Sequence, residues 1–197
     1  YLAAGAALGE AFGMHTGLTL APPTGALMLA DLTPLPKWLV VGSGARDTLM
    51  EAGLAAPGLM QVQAGVAAGF VACRAPRQYL VCAGDDGVPP PALCRAALRY
   101  DGLDLALGGG SGEHGVADLL AEACTTDLVA PAVGAWVPTL MYGVEVGLWR
   151  VAPQGWRVLA APADGEYLVS TLLDALRRRH GALAGYRDFL AMTNFGG

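Results

Sequence analysis

The chain carries the same β-hairpin pattern twice, and this repeat restricts its possible folds more than any other feature. Residues 65–70 (GVAAGF) and 143–148 (GVEVGL) place Gly, Val, Gly and a large apolar residue at matching positions. Each copy continues into an Ala-Pro pair, at 75–76 and 152–153, and then into an aromatic and a β-branched residue. Because proline is disfavoured inside a central strand but suits a connection, each copy predicts a strand, a turn and a returning strand.

A second shared pattern precedes each hairpin: an apolar strand, a glycine stretch and an amphipathic helix. In the first half, a strand is predicted over 38–41, a turn over 42–44 and a helix over 45–52. Leu49 and Met50 are predicted to lie on the apolar side of this helix.

The second half repeats the pattern with a strand over 103–107, a glycine stretch over 108–112 and a helix over 116–123. The apolar residues of that helix have the i, i+3, i+4, i+7 spacing of a core-facing stripe. A last helix is predicted over 166–179, ending near Gly181.

The halves are separated by a polar turn at 85–87 (DDG) and a stiff connector at 89–91 (PPP), followed by a short predicted helix over 92–98. We therefore predict an α+β fold with two pseudo-repeated lobes, each strand, turn, helix and β-hairpin, packed around a pseudo-twofold. The predicted divisions are an N-terminal segment, 1–30; a first lobe, 31–91; and a second lobe with the C-terminal helix, 92–197.

The composition indicates how much of the surface a partner covers and whether the chain spans a membrane. Only 15% of residues are charged and 54% are hydrophobic, against roughly 25% charged in an average domain, so we expect a partner to cover some of the surface. No run of about 18 apolar residues predicts a membrane span. The run 1–20 is interrupted by Glu10 and His15 and lacks a basic start, so it predicts neither signal peptide nor anchor; the start at Tyr1 leaves room for a preceding segment.

The net charge and the cysteine spacing argue against a nucleic-acid-binding and a metal-binding protein. A net charge of -5 without a basic stripe argues against nucleic acid. The one basic cluster, 177–179, is predicted to complement a helix C-terminus. Four cysteines show neither a C-x-x-C pair nor histidines at ligand spacing, so we expect reduced thiols, no metal site and the cytoplasm; they are Cys73, Cys82, Cys94 and Cys124.

No catalytic constellation stands out. The glycines at 42–44 follow a strand, but the full dinucleotide pattern is broken at Asp47, and 108–112 lacks the lysine of a phosphate-binding loop. No G-x-S-x-G elbow accompanies the three histidines, and the paired acids at 85–86 and at 101 and 104 read as turn residues. We therefore predict no catalytic residue.

Aromatic residues cluster in the second half: Trp136, Tyr142, Trp149 and Trp156. Core or interface packing is the preferred interpretation, with stacking on a planar ligand as the alternative. Alternation along 144–149 places Trp149 on the strand face opposite the apolar one, so it is predicted to face another subunit or the neighbouring half.

Several short motifs of the second half are distinctive when taken together: AEACTTDL at 121–128, VG at 133–134, Thr139, GV at 143–144, LWR at 148–150 and YL at 167–168. This set resembles the gamma subunit of heterotetrameric sarcosine oxidase, which is related to the folate-binding T-protein of glycine cleavage. The likeness covers the last 80 residues or so best and extends weakly to 31–33 and 38–44. Val137-Pro138 stands where the family usually has a basic residue.

The resemblance implies a T-protein-like fold and a non-catalytic structural subunit of a flavin-dependent, tetrahydrofolate-linked oxidative N-demethylase. Flavin and tetrahydrofolate would then lie on larger flavoprotein subunits of a hetero-oligomer, with no cofactor bound by this chain. Two alternatives stay open. One is a stand-alone folate-binding or aminomethyl-transferring protein, in which Trp149 or Tyr142 stacks on a pterin and Asp127 contacts its polar edge. The other is a related subunit of a different oxidase or monooxygenase.

Overall fold

The structure, a computed structural model, describes residues 7–11, 14–19, 26–64, 69–82, 93, 95, 97–110, 115–128, 131–185 and 187–189, with backbone only for 7–11, 14–19 and 64. The strands are β1 Ala7–Ala11, β2 Met14–Thr19, β3 Leu27–Asp31, β4 Lys37–Val41, β5 Val62–Ala64, β6 Phe70–Ala75, β7 Gln78–Cys82, β8 Leu98–Arg99, β9 Leu103–Gly109, β10 Trp136–Met141, β11 Val144–Ala152, β12 Gly155–Ala160 and β13 Ala182–Ala184. The helices are α1 Ala45–Glu51, α2 Val116–Ala123 and α3 Gly165–Arg178. This is a mixed α and β structure, and no helix of the described part is long and apolar enough to cross a membrane.

The chain divides into two compact units. Unit 1 comprises residues 1–34, 102–133 and 137–197, and unit 2 comprises 35–101 and 134–136. These bounds differ from the predicted divisions because β3 pairs with β9 on one side and with β13 on the other. The segment up to residue 34 therefore belongs with the second half of the chain.

Unit 1 is built on a six-stranded sheet in the order β10-β11-β12-β9-β3-β13. One face of this sheet carries a core that α2 and α3 cover, because the apolar stripes of both helices point into it. The buried helix residues of this core are Val116, Leu119, Leu120, Ala123, Leu168, Leu172, Ala175 and Leu176. The predicted stripe of α2 and the predicted last helix are both confirmed. Burying a leucine of this kind stabilises the fold by about 1.5–3 kcal/mol.

Unit 2 repeats this arrangement on a smaller scale, with a five-stranded sheet in the order β5-β6-β7-β4-β8. Its core includes Leu49 of α1, which is fully buried, packed with Val40, Val71 and Tyr79 from the sheet. Met50 is 62% exposed, so its predicted place on the apolar side is wrong. Adjacent residues of a helix point about 100° apart, and the buried side of α1 is the one shared by Ala45 and Leu49, four residues apart.

Both predicted hairpins are confirmed, and they share an irregularity. In β6–β7 the register shifts between Cys73 and Ala75, and in β11–β12 it shifts between Arg150 and Ala152. Each bulge lies at the end of the first strand, directly before the Ala-Pro turn, where an extra residue increases the local twist. The strand order β5-β6-β7-β4 of unit 2 thus reappears as β10-β11-β12-β9 in unit 1.

Some predictions fall outside the described residues. These are the start of the first hairpin strand at 65–68, the turn at 85–87 and the connector at 89–91. Of the short helix predicted over 92–98, Leu93 and Arg95 are helical, whereas Leu98 begins β8.

The last helix ends as predicted. The N–H of Gly181 bonds to the carbonyl of Leu176 at 2.9 Å, and His180 before it has a φ of 52°. A Cβ at Gly181 would lie 2.5 Å from Leu176 Cδ1, so only glycine fits this close return of the chain.

Candidate functional site

A buried ion pair lies on the face of the unit 1 sheet opposite the helix-covered core. Arg157 donates from Nε to Asp104 Oδ1 at 3.1 Å and from Nη2 to the other oxygen of the same carboxylate. The two side chains are 2% and 0% exposed. The guanidinium also lies 4.7 Å from the ring centroid of Trp149, close enough for a cation–π contact.

Strand register explains this arrangement. Trp149 and Arg157 are directly paired across β11 and β12, while Asp104 on β9 pairs with Leu159, two residues beyond Arg157 on the same face. Side chains two apart on a strand share a face, so the three side chains form a row across neighbouring strands.

Thr33 holds the Asp104 end of this row in place. The backbone N–H of Asp104 donates to Thr33 Oγ1 at 3.1 Å, and the carbonyl of Asp104 accepts from the N–H of Leu32 at 2.8 Å. Thr33 is itself fixed by Asp31, whose carboxylate accepts the Thr33 N–H at 2.9 Å. The charges of Arg157 and Asp104 are paired, and neither side chain is more than 2% exposed. The row therefore stabilises the sheet and is not accessible to a substrate.

Tyr142 lies at the turn between β10 and β11, with a φ of 50°. Its ring packs against the core under α2 and α3, and its hydroxyl is buried without a hydrogen-bond partner among the described residues. Burial, and secondarily the charge of Glu122, raise the pKa of this phenol. The nearby Arg179 of the basic cluster binds Glu122 and Asp118 of α2, so it ties α3 to α2.

The residues predicted as candidates for a folate groove are now located. Trp149 lies on the face opposite the apolar one, as predicted, but its side chain is only 1% exposed and Arg157 covers its ring. Tyr142 packs against the opposite, helix-covered side of the sheet. Asp127 is exposed, shortly after α2. Arg157 contacts both Trp149 and Asp104 in this part of the sheet, and the folate groove remains a prediction.

A pocket of about 270 Å³ opens at the N-terminal end of α2. It is lined by Gly110, Gly115, Val116, Ala117, Leu120, Leu128, Arg150, Pro153, Gln154 and Trp156. The guanidinium of Arg150 lies 5.6 Å from the ring centroid of Trp156 and donates to the carbonyls of Pro131 and Pro153. Sequence reasoning did not find this pocket. The one available signal was the LWR motif, which entered only as part of a family likeness.

Two thiols, those of Cys73 and Cys124, are unsuited to nucleophilic attack. Burial raises the pKa of Cys124 to about 11 and, as the largest cause, also raises the pKa of Cys73. Both stay protonated at neutral pH, and the thiolate is the reactive form. No group of three histidines, cysteines or acids among the described residues could hold a metal ion.

No protein-family model matches this sequence, and no curated protein matches it. Solved structures that are similar in fold include the following two. A chain of the heterotetrameric sarcosine oxidase from Corynebacterium sp. U-96, solved in complex with pyrrole 2-carboxylate, matches with a TM-score of 0.63 at 24% identity, covering 80% of this chain and 87% of that one. The glycine cleavage system aminomethyltransferase T from Bartonella henselae matches with a TM-score of 0.68 at 16% identity, covering 93% of this chain and 56% of that one.

These likenesses establish the fold. The chain has a T-protein-like architecture, as the sequence resemblance implied, and it spans just over half the length of the aminomethyltransferase. At these identities, function does not follow from fold alone.

Proposed function

We propose that this chain is a non-catalytic structural subunit of a hetero-oligomeric oxidase that demethylates an N-methyl amino acid. The observation that carries the proposal is the extent of the match to the sarcosine oxidase chain. It covers most of both chains, 80% and 87%, so the two are similar in size as well as fold. The aminomethyltransferase chain, by contrast, extends well beyond the matched region.

The side chains of the described residues support a structural role. The buried pair of opposite charges formed by Asp104 and Arg157 is used within the sheet, and the thiol of Cys124 is held protonated. Large apolar side chains are meanwhile exposed on both units, among them Met50 at 62%, Leu98 at 63% and Tyr167 at 55%. Such residues are compatible with partner contacts, as expected from the low charge content.

The larger partners are proposed to be flavoproteins, and this chain is proposed to bind no cofactor itself. In such a complex flavin would accept the electrons of amine oxidation and tetrahydrofolate would accept the one-carbon unit, both on the partners. The pseudo-twofold arrangement of two lobes belongs to the same proposal, supported by the strand order shared by the two units. The cytoplasm is the proposed compartment, supported by the thiols of Cys73 and Cys124, neither of which is part of a disulfide.

Co-expression tests the proposal. The chain is produced alone and together with candidate flavoprotein partners from the same genome, and each preparation is analysed by size-exclusion chromatography and by oxidation of sarcosine. We expect a stable complex that contains this chain in fixed stoichiometry, and aggregation of the chain expressed alone. A monodisperse monomer that fails to capture those flavoproteins would refute the proposal. A stable flavoprotein complex that oxidises another amine but not sarcosine would indicate the related-oxidase alternative.

The stand-alone folate alternative is favoured by one observation, the 93% coverage of this chain by the aminomethyltransferase fold. Calorimetric titration with tetrahydrofolate distinguishes it, with Asp127→Asn as the test variant and Asp101→Asn as the control at another exposed acid. Binding heat that D127N weakens and D101N does not would support a folate site on this chain. The absence of heat at high micromolar ligand would remove that alternative.

A further inference from the structure

The pocket at the start of α2 combines one cation with apolar walls, and the proposed function makes no use of it. We propose that this pocket binds a small monocarboxylic acid with a flat apolar body. The site is independent of the oxidase proposal, because it rests only on side chains of unit 1.

Arg150 supplies the charge. A guanidinium has five N–H donors, and the contacts shown for Arg150 are all with neutral groups: two carbonyls and the indole of Trp156. The carbonyl of Pro153 accepts at 2.9 Å. Nε is buried and has no hydrogen-bond partner among the described residues. The two carbonyls hold the side chain in position and use one N–H each of Nη1 and Nη2, so the second N–H of each and the charge remain for an anion.

The walls determine what kind of anion fits. Val116, Leu120 and Leu128 are buried, and the indole of Trp156 closes another side. None of the described lining residues is acidic, so none of them competes for the cation. A hydrated inorganic anion would not remove these apolar surfaces from water, whereas a carboxylate attached to a ring covers them and places its charge at Arg150.

The first turn of α2 adds to the positive potential. Its N-cap residue, Gly115, has no side chain to accept a hydrogen bond from the first N–H groups, and Val116 and Ala117 line the pocket. Backbone N–H groups at a helix start favour negative charge. They assist Arg150 here, and the specificity for a carboxylate with an apolar body comes from the cation and the walls together.

Titration calorimetry with benzoate tests the site, with benzamide as the neutral ligand of the same shape. The full chain is used in the assembly in which it purifies. The key variant is Ala117→Glu, which places a competing carboxylate at the pocket edge; Ala117 is exposed and an acid in the first turn of a helix is favourable, so folding is retained. Ala117→Gln is the matched control, with the same shape and no charge.

We expect benzoate to bind at least about tenfold more tightly than benzamide, a difference of about 1.4 kcal/mol. A117E should weaken benzoate by a similar factor, while A117Q should stay within about twofold of the unmodified chain. Equal binding of benzoate and benzamide, equal affinities for A117E and A117Q, or no heat at about 10 mM benzoate (a limit near 3 kcal/mol of binding free energy) would each overturn the proposal. If benzoate binds elsewhere in the assembly, A117E and A117Q will have equal affinities, which overturns the proposal.

Discussion

Removing Arg157 should destabilise the protein strongly, because the buried carboxylate of Asp104 loses the guanidinium that pairs with both of its oxygens. Both side chains are at most 2% exposed, and breaking such a pair costs about 3–5 kcal/mol. For a chain of 150–250 residues, 1 kcal/mol lowers Tm by roughly 2–4 °C. Arg157→Met is therefore expected to lower Tm by about 6–20 °C, measured by circular dichroism, with calorimetry to check for two-state unfolding.

Two further variants separate the buried charge from loss of packing. The double variant Asp104→Leu with Arg157→Met removes both charges, so it should cost much less than the sum of the two single variants. Arg99→Met is the matched control, because the Arg99–Asp101 pair has a similar 3.1 Å contact but side chains that are 56% and 77% exposed. Its loss should stay below about 1 kcal/mol. If R157M is no worse than R99M, or if the double variant costs the full sum, the buried pair does not have the role described.

Three further predictions concern single positions. Gly109→Ala should lower the free energy of unfolding by at least about 2 kcal/mol, since a φ of 74° is unfavourable for alanine by roughly 1–2 kcal/mol and the new Cβ would lie 2.4 Å from the carbonyl oxygen of Ala26. Gly143→Ala, with a φ of 84° and open space around the new Cβ, should show only the backbone cost. Urea unfolding of both variants compares these losses. Cys124, with its pKa raised by burial from 9.0 to about 11, should be alkylated at pH 8 roughly 100-fold more slowly than in the unfolded chain, followed by peptide mass spectrometry. Equal alkylation rates in the folded and unfolded chains would contradict the burial of this thiol. Because its pKa is higher in the folded state, the thiol stabilises the fold below about pH 9 and loses that contribution as the pH rises through about 11. Tyr142→Phe should leave Tm unchanged or raise it slightly, because the buried hydroxyl has no partner in the described part of the chain, and a clear loss of Tm would reveal a hydrogen bond that this interpretation lacks.

The predictions that succeeded depended on neighbours in the sequence. The Ala-Pro turns specified both hairpins, because a strand, a proline-containing turn and a returning strand form within about 20 residues by local turn chemistry and alternation. The stripe of α2 was readable for the same reason, since the helical period places Val116, Leu119, Leu120 and Ala123 on one side. The alternation along β11 likewise placed Trp149 correctly, opposite the core.

Other features depended on contacts that no local pattern encodes. Met50 follows a buried leucine in a helix of two turns, and only the packing of α1 on its sheet decided which of the two was covered. The strand β3 joins β9 in the six-stranded sheet from more than 70 residues away, and this places residues up to 34 in unit 1.

By itself, the sequence determined the hairpins, the helices and the resemblance to a T-protein-like fold, because each of these depends on patterns within a short stretch. The tertiary structure alone decided that Asp104, which the sequence suggested was a turn residue, is buried against Arg157, 53 positions away. It also brought Arg150, Trp156 and the start of α2 around one pocket. Strand register and helix docking set these contacts, and both follow from long-range packing, which the order of residues along the chain does not display.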